Sequence, residues 1–259
     1  MMRLRPSFIF IIQVLLWAPV LVLGQSKPCV IQSKAMRAGE ELTYKVYYTL
    51  AGAYVGAGEA IFSTSIYAKE KKYFHLKGSG RTYDSYDWFY KVRDLYESIV
   101  DSQTLKPVIF RRNIQEGNQK LLQEVYFDRN KLQVLDNGQK KSMSECLLDV
   151  LSAIYYARNI DFAKYQVGDK IPIEIYLDGE IHALYIRYLG KEKISTRHGQ
   201  YQTIKFKPLL LEGTLFKGGE QMTVWVTDDV RRIPVYIDTP ILVGHIRIFF
   251  IKGKGLIKS

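Results

Sequence analysis

Apolar and polar positions alternate with a period of two through most of the chain. Leu42, Tyr44, Val46 and Tyr48 alternate with Thr43 and Lys45, the spacing of a strand with one buried face. Gly52 to Gly58 interrupts that strand, and the alternation resumes over Ala60–Tyr67 and Tyr73–Arg81. A long strand is predicted from Tyr86 to Val100, then a turn at Ser102–Thr104 and a strand over Val108–Ile114. Gln115-Glu116-Gly117-Asn118 is turn chemistry, and Leu121–Phe127 with Lys131–Leu135 predicts a further hairpin. Ile171, Ile173, Ile175 and Leu177 lead to Asp178-Gly179, a type I′ hairpin signal, with His182, Leu184, Ile186 and Tyr188 on the return strand. Tyr201–Leu211, Gln221–Thr227, Ile233–Asp238 and Val243–Ile251 complete the set.

One segment departs from period two. Leu147, Leu148, Leu151, Ile154 and Tyr155 recur at helical spacing, and Arg158 suits a last turn. Ser142-Met143-Ser144-Glu145 fits a capping box, which predicts a helix over Glu145–Arg158. Hairpin-like spacing with a single helix argues a mainly β fold built on an antiparallel sheet. About a dozen strands do not stay open and flat, so the expected form is a curled sheet, barrel or half-barrel, with the helix packed on its concave side. A β-sandwich is the alternative.

Composition agrees with a folded chain. Of 259 residues 47% are hydrophobic and 24% charged, too apolar for disorder. Two cysteines and 19 glycines exclude a disulfide-dense scaffold and a collagen. The amino terminus has the pattern of a secretory signal over Met1–Gly24: basic Arg3 and Arg5, an apolar Phe8–Leu16, then Pro19 and the small Val22 and Gly24. Phe8–Leu23 is shorter than the roughly 20 residues of a spanning helix, and no later segment is long enough to span. No cysteine directly follows the apolar stretch, so a lipoprotein anchor is not expected. Residues 25–35 read as an amino-terminal extension and 36–259 as one β-rich domain.

Charge and cysteines acquire meaning from that export. The formal net charge of +11 falls to +9 when Arg3 and Arg5 leave with the signal. In an exported chain such charge points to anionic lipid, glycan or an acidic protein surface rather than to nucleic acid, and Lys252, Lys254 and Lys258 form a basic tail. Cys29 and Cys146 are expected to form one disulfide, worth up to about 4–5 kcal/mol for so long a loop in the chain-entropy view; the alternative is a reactive thiol near a helix start.

Candidate chemistry is sparse. There is no H-E-x-x-H, nucleophile elbow, P-loop or paired C-x-x-C. His75, His182, His198 and His245 lie far apart, so neither a metal site nor a cofactor is expected. Asp84 with Asp87, or Asp228 with Asp229, offers close carboxylates, the latter better read as turn chemistry. Tyr83, Tyr86, Trp88, Phe89 and Tyr90 form an aromatic cluster suited to stacking on sugar rings or burying lipid, or to ordinary sheet core. Asp94 falls among apolar neighbours on the even face of the long strand. If Val100 pairs with Lys106, it stands opposite Arg112 and predicts a buried Asp94–Arg112 pair.

Several short motifs, in order, resemble a known family. They are Gly39-Glu40-Glu41-Leu42-Thr43-Tyr44, Gly56-Ala57-Gly58-Glu59-Ala60, Asp94-Leu95-Tyr96-Glu97-Ser98 and Thr104-Leu105-Lys106-Pro107. Asp149-Val150-Leu151-Ser152-Ala153-Ile154-Tyr155 through Arg158, and Trp225-Val226-Thr227-Asp228-Asp229 with Arg232 and Pro234, follow. Over about residues 36–251 the chain resembles the exported bacterial "domain of unknown function 3108" family, in particular its Bacteroidetes members. The resemblance implies a mostly antiparallel β protein of the Gram-negative periplasm or cell envelope, with no established activity and no catalytic residues to transfer. The expected role is non-enzymatic, holding a lipid or other hydrophobic ligand in the concave side of the sheet. The alternatives are a structural or assembly module with an envelope protein partner, and an envelope glycan hydrolase.

Overall fold

The structure, a computed structural model, describes residues 32–258 apart from 69, 89, 213–217 and 242, and apart from the side chains of 70 and 71. The signal segment, Cys29 and Phe89 lie outside the described residues, and with Cys29 the expected Cys29–Cys146 pairing. Among the described residues no helix is long and apolar enough to cross a membrane.

Two meanders make one sheet. The first comprises β1 (Glu41–Leu50), β2 (Ala53–Tyr67), β3 (Glu70–Thr82), β4 (Arg93–Asp101), β5 (Pro107–Glu116), β6 (Gln119–Asp128), β7 (Gln133–Asp136) and β8 (Gln139–Ser142). A two-residue strand, β9 (Leu148–Asp149), enters the helix α1 (Val150–Arg158). The second meander is β10 (Lys170–Leu177), β11 (Glu180–Thr196), β12 (Gly199–Pro208), β13 (Thr223–Thr227), β14 (Pro234–Pro240) and β15 (His245–Lys254). β1 pairs with β15, so the order runs β8 to β1, then β15 down to β9. One continuous ladder of this kind is a curled sheet and not a sandwich. β9 and β10 form the parallel pair, joined through α1; every other ladder is antiparallel.

The edges of this sheet are β8 and β9, and residues 143–147 alone connect them. So short a connection requires the sheet to curl until its ends approach, and β9 comes against β5. The hairpins are set by left-handed residues: Asp178 (φ 51°) with Gly179 (φ 80°), as predicted, and Asn137 (φ 47°) with Gly138 (φ 78°) between β7 and β8.

Register aligns side chains into rows on the concave face. Leu42, Phe62, Gly78, Tyr96, Arg112 and Gln123 make one row. Thr64, Leu76, Ser98, Phe110, Val125 and Asp136 make the next. The helix lays Leu151 and Tyr155 on this face, in a core with Leu76, Val100, Phe110, Ile171, Tyr176 and Ile204.

Three sequence expectations are corrected here. The helix begins at Val150, not Glu145, and Ser142 ends β8. The working capping box is one turn later. The Asp149 carboxylate accepts from Ser152 N at 2.8 Å, and Ser152 Oγ accepts from Asp149 N at 2.9 Å. The predicted strand Tyr86–Val100 is a loop to residue 92, with a 3-10 turn at Asp84–Tyr86, and β4 starts at Arg93. The Asp94–Arg112 pair does not form. The turn at the left-handed Leu105 is one residue longer than expected, so Val100 faces Pro107, and a bulge between Ile99 and Val100 adds a second residue; together they move the β4–β5 register by two. A shift of two preserves the face, so Arg112 stands opposite Tyr96 instead.

Candidate functional site

Three strands and the helix frame an apolar cleft on the concave face. Cross-strand pairing puts Ala60, Gly80 and Asp94 side by side, next to the row Phe62, Gly78 and Tyr96. Glycine and alanine at these positions leave a depression where other sheet positions carry side chains. A Cβ on Gly80 would meet nothing within 4 Å, whereas one on Gly78 would meet Phe62 at 3.1 Å and Leu151 at 3.2 Å. Val150, Leu151 and Ile154 of α1 roof this depression and leave a cavity of about 180 Å³. Ile154, 40% exposed, stands at its mouth. An apolar cavity of roughly 150 Å³ holds a benzene ring, so this one admits a short alkyl segment or one ring and not a whole lipid.

Asp94 is the only ionisable carboxyl among the residues lining this cleft. Burial and the neighbouring Glu116 push it up to about 6, against a 3.1 Å hydrogen bond from Gln115 N that favours its charged form. Burial and the Asp94 charge in turn push the Tyr96 phenol up to about 12. A half-buried acid sharing its environment with a second carboxylate can hold a proton near pH 6. Among the described residues no group of three His, Cys, Asp or Glu side chains converges on a metal position.

The aromatic cluster singled out in the sequence lies elsewhere. Trp88 and Tyr90 line an open cleft of about 750 Å³ with Asp87, Lys91 and the turn Gln115–Gln119. Tyr83 and Tyr86 sit half-buried on the same loop, outside the lining of both clefts. Arg112, freed from Asp94, enters a buried polar belt. Its Nε donates to Gln123 at 2.7 Å, Gln123 Nε2 donates to Asp136 at 2.7 Å, and Tyr176 donates to Asp136 at 3.0 Å. Asp178, in the β10–β11 turn, completes the belt as the ion partner of Arg112.

Sequence reasoning also missed the deepest ion pair. Arg158 Nη1 meets Glu40 Oε1 at 2.6 Å, with both side chains 2% exposed or less. Its guanidinium also donates to the carbonyls of Ala35 and Arg231. Glu40 and Arg158 stand in two separated motifs, and the Arg231 carbonyl comes from the late hairpin; the fold brings the three to one place.

An open, curled, fifteen-stranded sheet wound round one helix defines a β-barrel-like class. The chain belongs to the family described as "Protein of unknown function (DUF3108)", which matches residues 43–251. No curated protein matches. Among solved structures, a β-barrel-like protein of domain of unknown function DUF1849 from Brucella abortus is similar at 10% identity, with a TM-score of 0.56, over 86% of this chain and 100% of that one. A Bacteroides fragilis protein with a YmcC-like fold shares 8% identity over 87% of this chain and 100% of its own, with a TM-score of 0.37. At such identities the Brucella likeness shows the fold alone.

Proposed function

We propose that this is a non-enzymatic protein of the cell envelope that holds the apolar end of a ligand beneath α1. The carrying observation is the mostly apolar cleft between α1 and β2–β4, whose one lining carboxyl is Asp94 and which is opened by Gly80. Most of the concave side is filled by packed side chains. The ligand therefore inserts a short segment and leaves its remainder outside. An acid at the rim disfavours a carboxylate or phosphate next to the inserted part and suits a hydroxyl, amide or amine. Export rests on the Met1–Gly24 pattern and the Gram-negative periplasm on the family resemblance, and the Cys29–Cys146 bridge belongs to the same reading; no described cysteine is a free thiol.

Gly80→Leu tests the reading. Gly80 has open space around it, so the leucine fills the cleft without displacing the sheet. Native mass spectrometry of protein purified from its host is expected to show a bound apolar adduct in the wild type and its loss in Gly80→Leu. An adduct of equal occupancy in both, or none in either, overturns it.

A further inference from the structure

A second cleft has a different chemistry. Trp88 is 83% exposed, and the loop that carries it is held in place. Arg93 Nη1 and Nη2 grip the two Asp87 carboxylate oxygens at 3.0 and 2.7 Å, and Nη2 also reaches Asp84 at 2.9 Å. Thr82 Oγ1 donates to Asp87 at 3.0 Å, and Arg93 Nη1 donates to the Thr82 carbonyl at 3.1 Å. Tyr90 N bonds the Tyr86 carbonyl at 3.0 Å, and Gly117 N bonds the Lys91 carbonyl at 2.7 Å, which ties the loop to the β5–β6 turn opposite. Trp88 is thus exposed between the anchored Asp87 and Tyr90, which limits the ordering cost of binding.

The facing wall is the turn Gln115–Gln119, rich in amide side chains that both donate and accept. Gly117 is left-handed (φ +57°), a backbone conformation that favours glycine, and the Tyr90 ring packs at ordinary contact distance, 3.5 Å, from where its Cβ would be, so turn and aromatic side stand together. An aromatic face beside planar amides, in a cleft of about 750 Å³, is the lining that suits a pyranose: C–H groups on the ring face, hydroxyls to the amides. Lipid is disfavoured by the polar lining. Charge narrows the class further. The ionisable groups that line the cleft are Asp87, Glu116 and Lys91; Arg93 neutralises Asp87, and Glu116 balances Lys91, so the lining has no net positive charge to hold a uronic or phosphorylated glycan.

We propose that this cleft is a carbohydrate-binding site for a neutral pyranose chain, with Trp88 as the stacking platform and Gln115, Asn118 and Gln119 as the hydroxyl readers. It shares no lining residue with the apolar cleft beneath α1, to which it is joined through the Gln115–Asp94 hydrogen bond, and its test does not depend on that reading.

Isothermal titration calorimetry of the full chain tests it, with cellotetraose, chitotetraose, maltotetraose and the acidic tetragalacturonate as probes. At least one neutral tetrasaccharide is expected to bind. Its affinity should fall by at least about tenfold in Trp88→Ala and in Gln119→Ala and be largely kept in Trp88→Phe. Circular dichroism should show all variants folded, since each change is at an exposed position. Failure of every neutral probe to bind the wild type overturns the proposal. So does binding that Trp88→Ala leaves unchanged, or a preference for tetragalacturonate.

Discussion

Asp149 is pulled in opposite directions. Its carboxylate accepts from Ser98 Oγ at 2.6 Å and from Ser152 N at 2.8 Å, which favours the charged form. Complete burial opposes this and wins, pushing the group up to about 6. A carboxyl raised in the folded state binds its proton more tightly there, so its stability contribution is full below about pH 4 and lost as pH rises through about 6. Asp94, also raised to about 6, adds in the same direction. Asp149→Asn keeps a good N-cap and removes one titration worth about 3 kcal/mol at most. Thermal unfolding at pH 4.5 and pH 7 should show the wild type losing stability between them and Asp149→Asn losing distinctly less. Glu40 and Arg158 are coupled differently. Arg158→Met alone leaves a buried carboxylate and is expected to cost about 3–5 kcal/mol in urea unfolding, while Glu40→Leu with Arg158→Met together should cost far less.

Among the elements, the β2–β3 ladder depends on glycine in two opposite ways. A Cβ on Gly58 would stand 2.2 Å from the Arg81 carbonyl oxygen, where the β1–β2 pairing slips past Ala57. Gly58→Ala is therefore expected to cost about 2 kcal/mol or more, measured by chemical denaturation, whereas Gly80→Ala should be neutral or slightly stabilising. Period two made nearly every strand legible, along with the Asp178-Gly179 hairpin, because each is decided by neighbours a few residues away. The predicted strand Tyr86–Val100 failed for lack of any local mark that Arg93 ties Asp84 and Asp87 into a loop. The helix start was misread because Ser142 and Glu145 have capping chemistry too, and the winner, Asp149, is selected by its burial and by Ser98 from another strand. The Asp94–Arg112 pairing had the right face and the wrong register, since neither the extra turn residue before Pro107 nor the bulge at Ile99/Val100 has a sequence signature. The apolar cleft was not legible at all: Ala60, Gly78 and Gly80 become a depression only through cross-strand pairing and a helix from far along the chain.

For the whole molecule, closure depends on side chains where backbone pairing stops. The two ends of the sheet meet through Arg112–Asp178, Tyr176–Asp136, Ser144–Glu174 and a Lys141 bond to the Gly179 carbonyl. All four residues of β8 are exposed. Hydrogen exchange is expected to be slowest in β1 and β15, long strands at the middle of the sheet, and fastest in the exposed edge strand β8 and the four-residue β7 beside it. Asp178→Ala, which leaves the buried Arg112 without its carboxylate, should accelerate exchange in β10 and in β5–β8 while sparing β1–β2. The β1–β15 ladder has a consequence for assembly. It is the ladder that joins strands distant in sequence, Glu41 against Lys254. A chain delivered amino end first can build each meander from successive hairpins, yet β1 keeps a bare edge until the last strand arrives. During that wait the molecule is two half-shells with sticky margins, and whatever guards a nascent chain has to guard it there.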